Sequence, residues 1–396
     1  MNIYMDNGAT SFPKPPAVAD AMAHFINHVG SNVNRGSYDT AFDAGNVVYE
    51  TREMLAELFN ADTPEHIVFS RNVTESLNMV IKGMLNTGDH VLVTSMEHNA
   101  VMRPLTGLAH QGITFSRIPC TPQGFLQTET LESLITPNTR AVVMTHASNV
   151  CGSVMDVGTV ADFARKHRLH FVIDAAQTAG VLPIDVQQLT PAAVCFTGHK
   201  SLYGPQGMGG AWLSKEFSKT LRPLVEGGTG SFSEDEVQPS HLPDKFESGT
   251  LNMPGIYGLH AALTWLQQVG LEEIHQHEMA LTQRFLEGLK EIKEVAVAGP
   301  QTTEKRTAVV SITCPSQDLG QLSHRLAKEH GIATRSGMHC APNAHKTLGT
   351  FPTGTVRFSF GYFNTLEQVD TALKALQEVV AIPSQSDFDT PKTNGC

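Results

Sequence analysis

Short apolar runs alternate with longer amphipathic segments between about residues 60 and 215. The runs predict buried strands, and they are HIVFS (66–70), HVLVT (90–94), AVVMTH (141–146), HFVIDAA (170–176) and AAVCFTG (192–198). Intervening segments such as 74–85 and 157–167 have the apolar spacing of helices. This alternation predicts an α/β fold in which helices cover both faces of a mainly parallel sheet.

The pattern changes after residue 225. A polar, glycine-rich segment at 226–255 is predicted to be a long loop, and loops of that length in compact enzymes are often functional. Two helical patterns follow, and then a smaller unit alternates two strands with two helices. These elements are predicted at 256–269, 271–291, 307–313, 317–330, 356–360 and 365–381.

Composition narrows the class of function. The net charge of −11 and the absence of a Lys/Arg-rich run argue against nucleic acid or an anionic membrane as a partner. No apolar run reaches membrane-spanning length and the N-terminus does not resemble a signal peptide, so we expect a soluble, cytoplasmic protein. The six cysteines are dispersed without a Cys-x-x-Cys pair, so neither a metal site nor a disulfide framework is predicted.

The stretch FTGHKSLYGPQG places Lys200 beside several glycines. A phosphate-binding P-loop would need Gly before its lysine, and here His199 precedes Lys200. The other role that requires one particular amine is a Schiff base to a carbonyl cofactor, in which the nitrogen is deprotonated and rigidly held. Lys200 is therefore a candidate for cofactor attachment.

Polar residues follow the predicted strands at their carboxyl ends, where ligands of such sheets bind. Any one of them could be an ordinary helix cap or turn residue, but their convergence at one sheet edge favours a site. A cofactor with an aldehyde, a phosphate, a pyridine nitrogen and a phenolic oxygen would use them all, which makes pyridoxal phosphate plausible. The residues are Thr74, Glu75, His98, Asn99, Ser148, Asn149, Asp174, Gln177, Thr197, His199 and Lys200.

The ordered motifs MDNGATSFPKP, NVTESLN, SMEHNAV, HASNVCG, VIDAAQTAG, FTGHKSLYGPQG, FESGTLN, RSGMHCAP and VRFSFGYFNTLEQVD resemble those of the fold-type I, class V aminotransferase family. Within it they are similar to the SufS-type branch of cysteine desulfurases and selenocysteine lyases, over residues 4–380. The resemblance implies a large pyridoxal phosphate domain with a mainly parallel seven-stranded sheet at 15–255. It also implies a smaller α+β domain from 1–14 and 256–381, and we expect 382–396 to be a disordered tail.

The resemblance also implies roles for individual residues. Lys200 would form the Schiff base, Asp174 would pair with the pyridinium nitrogen, and Gln177 would bind the phenolic oxygen. His98 would stack on the ring and move protons, and Asn149 would lie near the phenolic oxygen and the substrate. The phosphate would be bound by Thr74, Thr197 and His199, and by Thr250 from the neighbouring subunit, which implies a homodimer with shared active sites.

Two arginines are candidates for the substrate carboxylate, because a guanidinium binds a carboxylate through two parallel hydrogen bonds. The resemblance favours Arg357 over Arg335. Three positions depart from the usual family motifs. Gly8 replaces an alanine, Val73 stands where many relatives have threonine, and Met338 replaces a histidine before His339.

Cys340, in the polar stretch RSGMHCAP, discriminates among the reactions that such a cofactor could support. A cysteine desulfurase needs a thiolate that takes sulfur from L-cysteine as a persulfide, releases L-alanine and passes the sulfur to an acceptor protein. Lys200 would then move the Cα proton, with His98 as a further proton partner. Selenocysteine lyase on L-selenocysteine is the alternative. A class V aminotransferase, another C–S lyase and a non-catalytic scaffold are less favoured.

Overall fold

The structure is a computed structural model that describes residues 3–33, 38–231 and 234–381. The tail predicted at 382–396 lies outside the described residues. The strands are β1 (Ile3–Tyr4), β2 (Ile67–Ser70), β3 (His90–Thr94), β4 (Thr114–Ile118), β5 (Thr139–Thr145), β6 (His170–Asp174), β7 (Ala193–Thr197), β8 (Gly209–Leu213), β9 (Ala296–Ala298), β10 (Val309–Thr313), β11 (Ile332–Ala333), β12 (Arg335–Gly337) and β13 (Thr355–Ser359).

Helices cover the strands and connect them. The α-helices are α1 (Pro16–His24), α2 (Asp39–Leu58), α3 (Val73–Met84), α4 (Asn99–Gly107), α5 (Leu131–Leu134), α6 (Val157–Lys166), α7 (Val186–Leu189), α8 (Lys215–Thr220), α9 (Met253–Val269), α10 (Leu271–Leu289), α11 (Leu319–His330), α12 (Pro342–Thr347) and α13 (Leu366–Ala381). Within the described part of the chain, no helix combines the length and the apolarity needed to cross a membrane.

The central sheet has seven strands in the order β2-β8-β7-β6-β5-β3-β4. Strand β8 is antiparallel to both of its neighbours, and the remaining pairs are parallel. The predicted α/β class with a mainly parallel seven-stranded sheet is therefore confirmed. The carboxyl ends of the parallel strands all meet at one edge, and the polar residues of the sequence motifs follow them there.

Strand β8 fits between β2 and β7 because it begins with two glycines. A Cβ on Gly209 would lie 2.7 Å from the backbone of Asn72, and one on Gly210 would lie 2.5 Å from the carbonyl oxygen of Val68. Both distances are shorter than side-chain contacts allow. The glycines thus permit the close approach that completes the sheet beside the start of α3.

A second, antiparallel sheet has the order β12-β13-β10-β9. It shares an apolar core with α10, α11 and α13, built from residues such as Phe285, Val310, Leu322, Phe358 and Leu376. The short strand β1 pairs in parallel with β11, and Asp6 forms a parallel bridge to Ser359 at the end of β13. The N-terminal segment is thereby fixed beside this smaller sheet.

Helix α9 packs on α1 and α2, and its buried residues Ile256, Leu259 and Leu263 belong to the same core as the central sheet. The predicted division of the chain at residue 255 stays a prediction. The contacts of α9 favour placing that boundary at Gly270, which separates α9 from α10.

Candidate active site

Most of the predicted site residues lie at the carboxyl edge of the central sheet. Asp174 ends β6 and Thr197 ends β7, while Lys200 occupies the turn after β7. His98 is the N-cap of α4 after β3, and Asn149 follows β5. Thr74 lies in the first turn of α3, which follows β2. The fold therefore assembles at one edge residues that are far apart in sequence.

The amine of Lys200 has a lowered pKa. Burial lowers its pKa to about 8, and the charges of Arg357 and Arg335 act in the same direction, whereas Asp174 and Asp6 oppose them. Within the part of the chain that the structure describes, Lys200 Nζ makes no hydrogen bond. A partly deprotonated, unengaged amine is available for covalent attachment to a carbonyl group.

Asp174 is the last residue of β6, and Gln177 lies on the loop that follows. Asp174 is 3% exposed and accepts the N–H of Ala176 at 3.0 Å. Burial raises the pKa of its carboxyl group, while the N–H of Ala176 and the charge of Lys200 act in the opposite direction. Gln177 donates to the carbonyl oxygen of Gly8 at 3.1 Å, which links this loop to the N-terminal segment.

His98 is neutral at pH 7 in this environment. Burial lowers its pKa to about 4, and the positive charges of Lys200 and Arg335 contribute. Its Nδ1 accepts the backbone N–H of Ala100 at 3.0 Å, so the neutral ring carries its proton on Nε2. The helix N-terminus thus fixes both the tautomer and the orientation of the imidazole.

Glu97 is a buried carboxyl group that the sequence did not single out. It accepts Thr94 Oγ1 at 2.6 Å and the backbone N–H of Thr145 at 3.0 Å, which ties the end of β3 to the end of β5. Thr145 pairs directly with Asp174 across the sheet. Burial raises the pKa of Glu97 to about 8, and the nearby charge of Asp174 adds to that shift.

The N-terminal segment holds the turn that carries Lys200, which the sequence also did not reveal. Ser11 Oγ donates to the carbonyl oxygen of Lys200 at 2.8 Å, and Lys14 Nζ donates to Ser11 Oγ at 2.7 Å. The carbonyl oxygen of His199 accepts Lys14 Nζ at 2.8 Å and Thr10 Oγ1 at 3.0 Å. We call this set, Thr10, Ser11 and Lys14, the N-terminal clamp.

Arg357 is a buried cation with defined partners. It is 1% exposed, its NH2 group lies 2.6 Å from Asp6 Oδ1, and its NH1 group donates to the carbonyl oxygen of Asn149 at 2.9 Å. Its buried Nε has no hydrogen-bond partner among the described residues. Gly8 allows this packing, since a Cβ there would lie 3.3 Å from the guanidinium carbon.

Cys340 lies in the turn between β12 and α12 and is exposed. Its φ of 58° and that of His339, 46°, lie in the left-handed region, at a cost of about 1–2 kcal/mol each. Hydrogen bonds to two backbone oxygens hold this conformation. The Asn149 amide donates to His339 at 2.7 Å, and the N–H of Asn99 donates to Cys340 at 2.8 Å.

Thr74, His98 and Cys340 line one cavity of about 660 Å³. Arg335 borders the same region, because its NH2 group lies 4.0 Å from Cys340 Sγ. An exposed sulfur, a neutral imidazole and a helix N-terminus therefore share one space. Lys200 and Arg335 both act electrostatically on His98, so both lie near its ring.

The residues predicted to bind phosphate separate into two groups. Thr197 is buried at the end of β7, and His199 has a buried Nδ1 without a partner among the described residues. Burial lowers the pKa of His199 to about 4. Thr250 is exposed and lines a different cavity, of about 390 Å³, together with Ser70 and Glu75. Within one chain, the structure does not bring Thr250 to Lys200.

These residues fit pyridoxal phosphate. The amine of Lys200 has no hydrogen-bond partner among the described residues, Asp174 is a buried acceptor, and the ring of His98 is near enough to Lys200 for the two to interact electrostatically. The orphaned Nδ1 of His199 and the free N–H groups at the start of α3 are suitable donors for a phosphate.

Comparison with known proteins defines the family. The sequence model described as aminotransferase class V matches residues 3–372, so the chain belongs to the class V aminotransferase family. A probable cysteine desulfurase of Pyrococcus abyssi is 34% identical over 96% of this chain and 94% of that protein. Another, from Methanothermobacter thermautotrophicus, is 32% identical over 96% of this chain and 95% of that protein.

Two solved structures extend the similarity to the fold. A cysteine desulfurase from Thermococcus onnurineus NA1 has a TM-score of 0.90 and 34% identity, covering 96% of this chain and 95% of that one. The cysteine desulfurase CsdA from Escherichia coli has a TM-score of 0.87 and 30% identity, with the same coverage of both chains. The predicted fold-type I architecture and the resemblance to this family are confirmed.

Proposed function

We propose that the protein is a pyridoxal phosphate-dependent cysteine desulfurase. It converts L-cysteine and the thiol of Cys340 into L-alanine and a Cys340 persulfide, so atoms balance without an external oxidant or reductant. The observation that carries this proposal is the position of Cys340, exposed in the cavity that His98 and Thr74 also line. The names of the similar proteins support the same reaction.

In this proposal the residues at the strand ends hold and use the cofactor, which supplies an electron sink for the carbanion at the substrate Cα. Asp174 holds the ring nitrogen, Gln177 and Asn149 lie toward the phenolic oxygen, and the His98 ring stacks against the cofactor. Lys200 carries the proton at Cα, because an amine with a pKa near 8 can both take and return it.

The phosphate group would be held by Thr74, Thr197 and His199. Two of these residues have a feature that suits the role. Thr74 lies at a helix N-terminus, and the Nδ1 of His199 has no hydrogen-bond partner in the described part of the chain. The substrate carboxylate would bind Arg357, whose Nε has no hydrogen-bond partner among the described residues and could donate to it. Arg335 is the second candidate, although its position beside Cys340 Sγ favours a role at the sulfur.

Cys340 accepts the substrate sulfur in this proposal. Its thiolate bonds to that sulfur as the bond from sulfur to Cβ breaks, and the carbon then gains a proton to become the methyl group of L-alanine. The Nε2 proton of His98 is suited to this step, because the ring is neutral and its Nδ1 is already engaged. Arg335 supplies a positive charge close to the reacting sulfur.

L-Cysteine is favoured over L-selenocysteine as the substrate. The similar proteins are named cysteine desulfurases. Selenium would also leave the substrate without attack by a thiolate, so a selenocysteine lyase would not need Cys340. An aminotransferase would need a keto acid as a second substrate, and no feature of the described residues favours one. Sulfur on an exposed cysteine also calls for a sulfur-acceptor protein that removes it.

The proposal includes a homodimer with shared sites. Thr250 is exposed and lines a cavity apart from Lys200, which suits a residue that completes the phosphate site of a second copy. Thr250→Ala should therefore weaken pyridoxal phosphate binding, and sedimentation should give twice the mass of one chain. A fully active monomer would contradict this part of the proposal.

One assay tests the activity. The enzyme loaded with pyridoxal phosphate is incubated with L-cysteine and a reducing thiol, and L-alanine and sulfide are measured together. Equal amounts of both are expected, and mass spectrometry before reduction should find 32 Da of added sulfur, the mass of one sulfur atom, on the peptide that contains Cys340. Absence of L-alanine from folded enzyme loaded with pyridoxal phosphate would reject the proposal.

A further inference from the structure

His339, the residue before Cys340, is buried although Cys340 itself is exposed. His339 is 2% exposed, and its Nε2 lies 3.0 Å from Thr355 Oγ1 on β13. Its Nδ1 is buried and has no hydrogen-bond partner among the described residues. The proposed function gives this imidazole no task in the chemistry, so its burial beside the reactive sulfur calls for another explanation.

A chain of three hydrogen bonds leads from the His339 ring to the loop after β5. Ser311 Oγ donates to the carbonyl oxygen of Val150 at 2.6 Å, so it accepts the hydroxyl proton of Thr355 at 3.0 Å. Thr355 Oγ1 therefore accepts from His339 Nε2. Burial lowers the pKa of His339 to about 2, so the neutral ring carries its one proton on Nε2. We call the two linking residues, Thr355 and Ser311, the hydroxyl chain.

A second contact reaches His339 from the same loop. The amide of Asn149 donates to the carbonyl oxygen of His339 at 2.7 Å. Residues 149 and 150 thus hold His339 by its backbone oxygen and, through the hydroxyl chain, by its ring. His339 and Cys340 both have left-handed φ angles, and such strained conformations persist only where the surrounding structure imposes them.

We propose that His339 is a positioning residue that fixes the Cys340 turn against residues 149–150 through the hydroxyl chain, and so presents the sulfur to the substrate. The inference rests on the proposed function, in which Cys340 accepts the sulfur and Asn149 lies toward the cofactor. One loop then serves both the cofactor and the nucleophile. Loss of the hydroxyl chain should leave substrate binding intact and slow the sulfur transfer, because that step needs close alignment of the reacting atoms.

Thr355 offers the most direct test, because valine has nearly the shape of threonine and lacks the hydroxyl group. In loaded Thr355→Val, the rate of L-alanine formation from L-cysteine in a single turnover should fall about tenfold or more. The dissociation constant of L-alanine, measured by the absorption change of the cofactor, should stay within about twofold of the wild-type value. Thr355→Ser keeps the hydroxyl group and should recover most of the rate.

A double-mutant cycle tests whether His339 and Thr355 act together. His339→Asn keeps a residue that tolerates a left-handed φ but is too short to reach Thr355, and it should resemble Thr355→Val. The double variant should lose no more than about threefold beyond either single variant, because both break the same chain. Thr282→Val is the matched control and should keep the wild-type rate, since the hydroxyl of this buried threonine bonds to Glu278 in its own helix.

Hydrogen–deuterium exchange gives a readout that a general loss of stability would not reproduce. The N–H of Ala341 bonds to the carbonyl oxygen of Met338 at 2.9 Å within the turn. In Thr355→Val and His339→Asn, the peptide that covers 337–342 should exchange about tenfold faster than in the wild type. A peptide that covers β6, at 170–174, should exchange at the wild-type rate.

A further variant keeps the test decisive if Thr355→Val does not fold. Ser311→Ala breaks the hydroxyl chain at its next link and should show the same loss of rate and the same local exchange. A wild-type single-turnover rate in either folded variant, or a rate that Thr355→Ser fails to recover, would overturn the inference. Failure of the wild-type enzyme to form L-alanine would instead reject the proposed function, and the exchange data on the turn would still stand.

Discussion

Arg335 and Arg357 occupy opposed positions on neighbouring antiparallel strands, yet their guanidinium groups have different partners. Arg357 is bound by Asp6 and by the carbonyl oxygen of Asn149, whereas Arg335 approaches the sulfur of Cys340. Like charges at such positions repel each other unless something compensates them. The different partners keep the two positive charges apart, one beside Asp6 and one beside Cys340 Sγ. In the proposed function the first would serve the substrate carboxylate and the second the substrate sulfur.

Arg357 should therefore be required for substrate affinity. Arg357→Ala is expected to lower kcat/KM for L-cysteine about 100-fold, and Arg357→Lys nearly as much, because a lysine cannot replace the separate N–H groups that bind Asp6, the Asn149 carbonyl oxygen and, through Nε, the substrate. The absorption spectrum of the bound cofactor should be unchanged in both variants. An unaltered kcat/KM in steady-state assays would remove Arg357 from the substrate site.

Cys340 should be needed for sulfur transfer from L-cysteine. Cys340→Ser, nearly isosteric, is expected to bind L-cysteine and to lose at least about 99% of L-alanine formation, because serine cannot hold the transferred sulfur. Cys314→Ser, at a cysteine in the core beside the smaller sheet, is the control and should keep its activity. Normal L-alanine production by Cys340→Ser would contradict the persulfide route.

Lys200 should be the point of covalent attachment. Borohydride reduction of the loaded enzyme, followed by peptide mass spectrometry, is expected to find the pyridoxyl group on Lys200. Lys200→Ala should bind the cofactor without covalent labelling and should lose activity by a factor of about 10³ or more. Label on another lysine, such as the partly buried Lys14, would show that the assignment is wrong.

The N-terminal clamp should position Lys200. Lys14→Met removes the donor to Ser11 and to the His199 carbonyl oxygen, and it should weaken pyridoxal phosphate binding to the apoenzyme about tenfold, because that turn loses charge-assisted hydrogen bonds. Lys14→Arg should recover part of the affinity. Lys219→Met, at an exposed lysine that pairs with Glu216, is the control. Equal affinities in fluorescence titrations would refute a positioning role.

Glu97 should make stability depend on pH. Its folded pKa, raised to about 8 by burial, lies above its ordinary value of 4.5, so its stabilisation is complete below about pH 4.5 and is lost as the pH rises through about 8. Glu97→Gln cannot titrate, so it should not lose stability in this way. Between about pH 4.5 and pH 8 its unfolding temperature should fall by a few °C less than that of the wild type.

The control for Glu97 is Glu216→Gln, at an exposed carboxylate on α8. Its unfolding temperature, measured by calorimetry at the same series of pH values, should follow the wild-type curve. If Glu97→Gln also follows that curve, the carboxyl group of Glu97 does not titrate in the expected range.

The sequence predicted the parallel strands well, because strands buried on both faces are continuous apolar runs. Strands β3, β6 and β7 appear within a residue or two of their predicted ends. Strand β4 was missed because this edge strand is largely polar. Strand β8 was missed because its two glycines, which close packing requires, have a low propensity for strands. Helix α2 was also missed, because it buries small residues such as Ala41 and Ala44 and its apolar pattern in the sequence is therefore weak.

The sequence predicted those site residues that lie at or just after the carboxyl end of a predicted strand. Lys200, Asp174 and His98 could be grouped because parallel strands end at one edge. Asp6 and Lys14 could not, since their roles depend on how the N-terminal segment pairs with β11 and β13. Glu97 resembles an ordinary acidic neighbour of His98 until the depth of its burial is known.

The turn that carries Cys340 has consequences for the protein that receives the sulfur. Asn149 and Asn99 hold the carbonyl oxygens of residues 339 and 340, and the N–H of Ala341 bonds to the carbonyl oxygen of Met338. With the backbone fixed in this way, rotation about the Cα–Cβ bond moves the sulfur by only ~3 Å. In the proposed function the receiving thiol would therefore have to travel to the cysteine, and a partner with a projecting, flexible nucleophile fits this geometry better than one with a flat docking face.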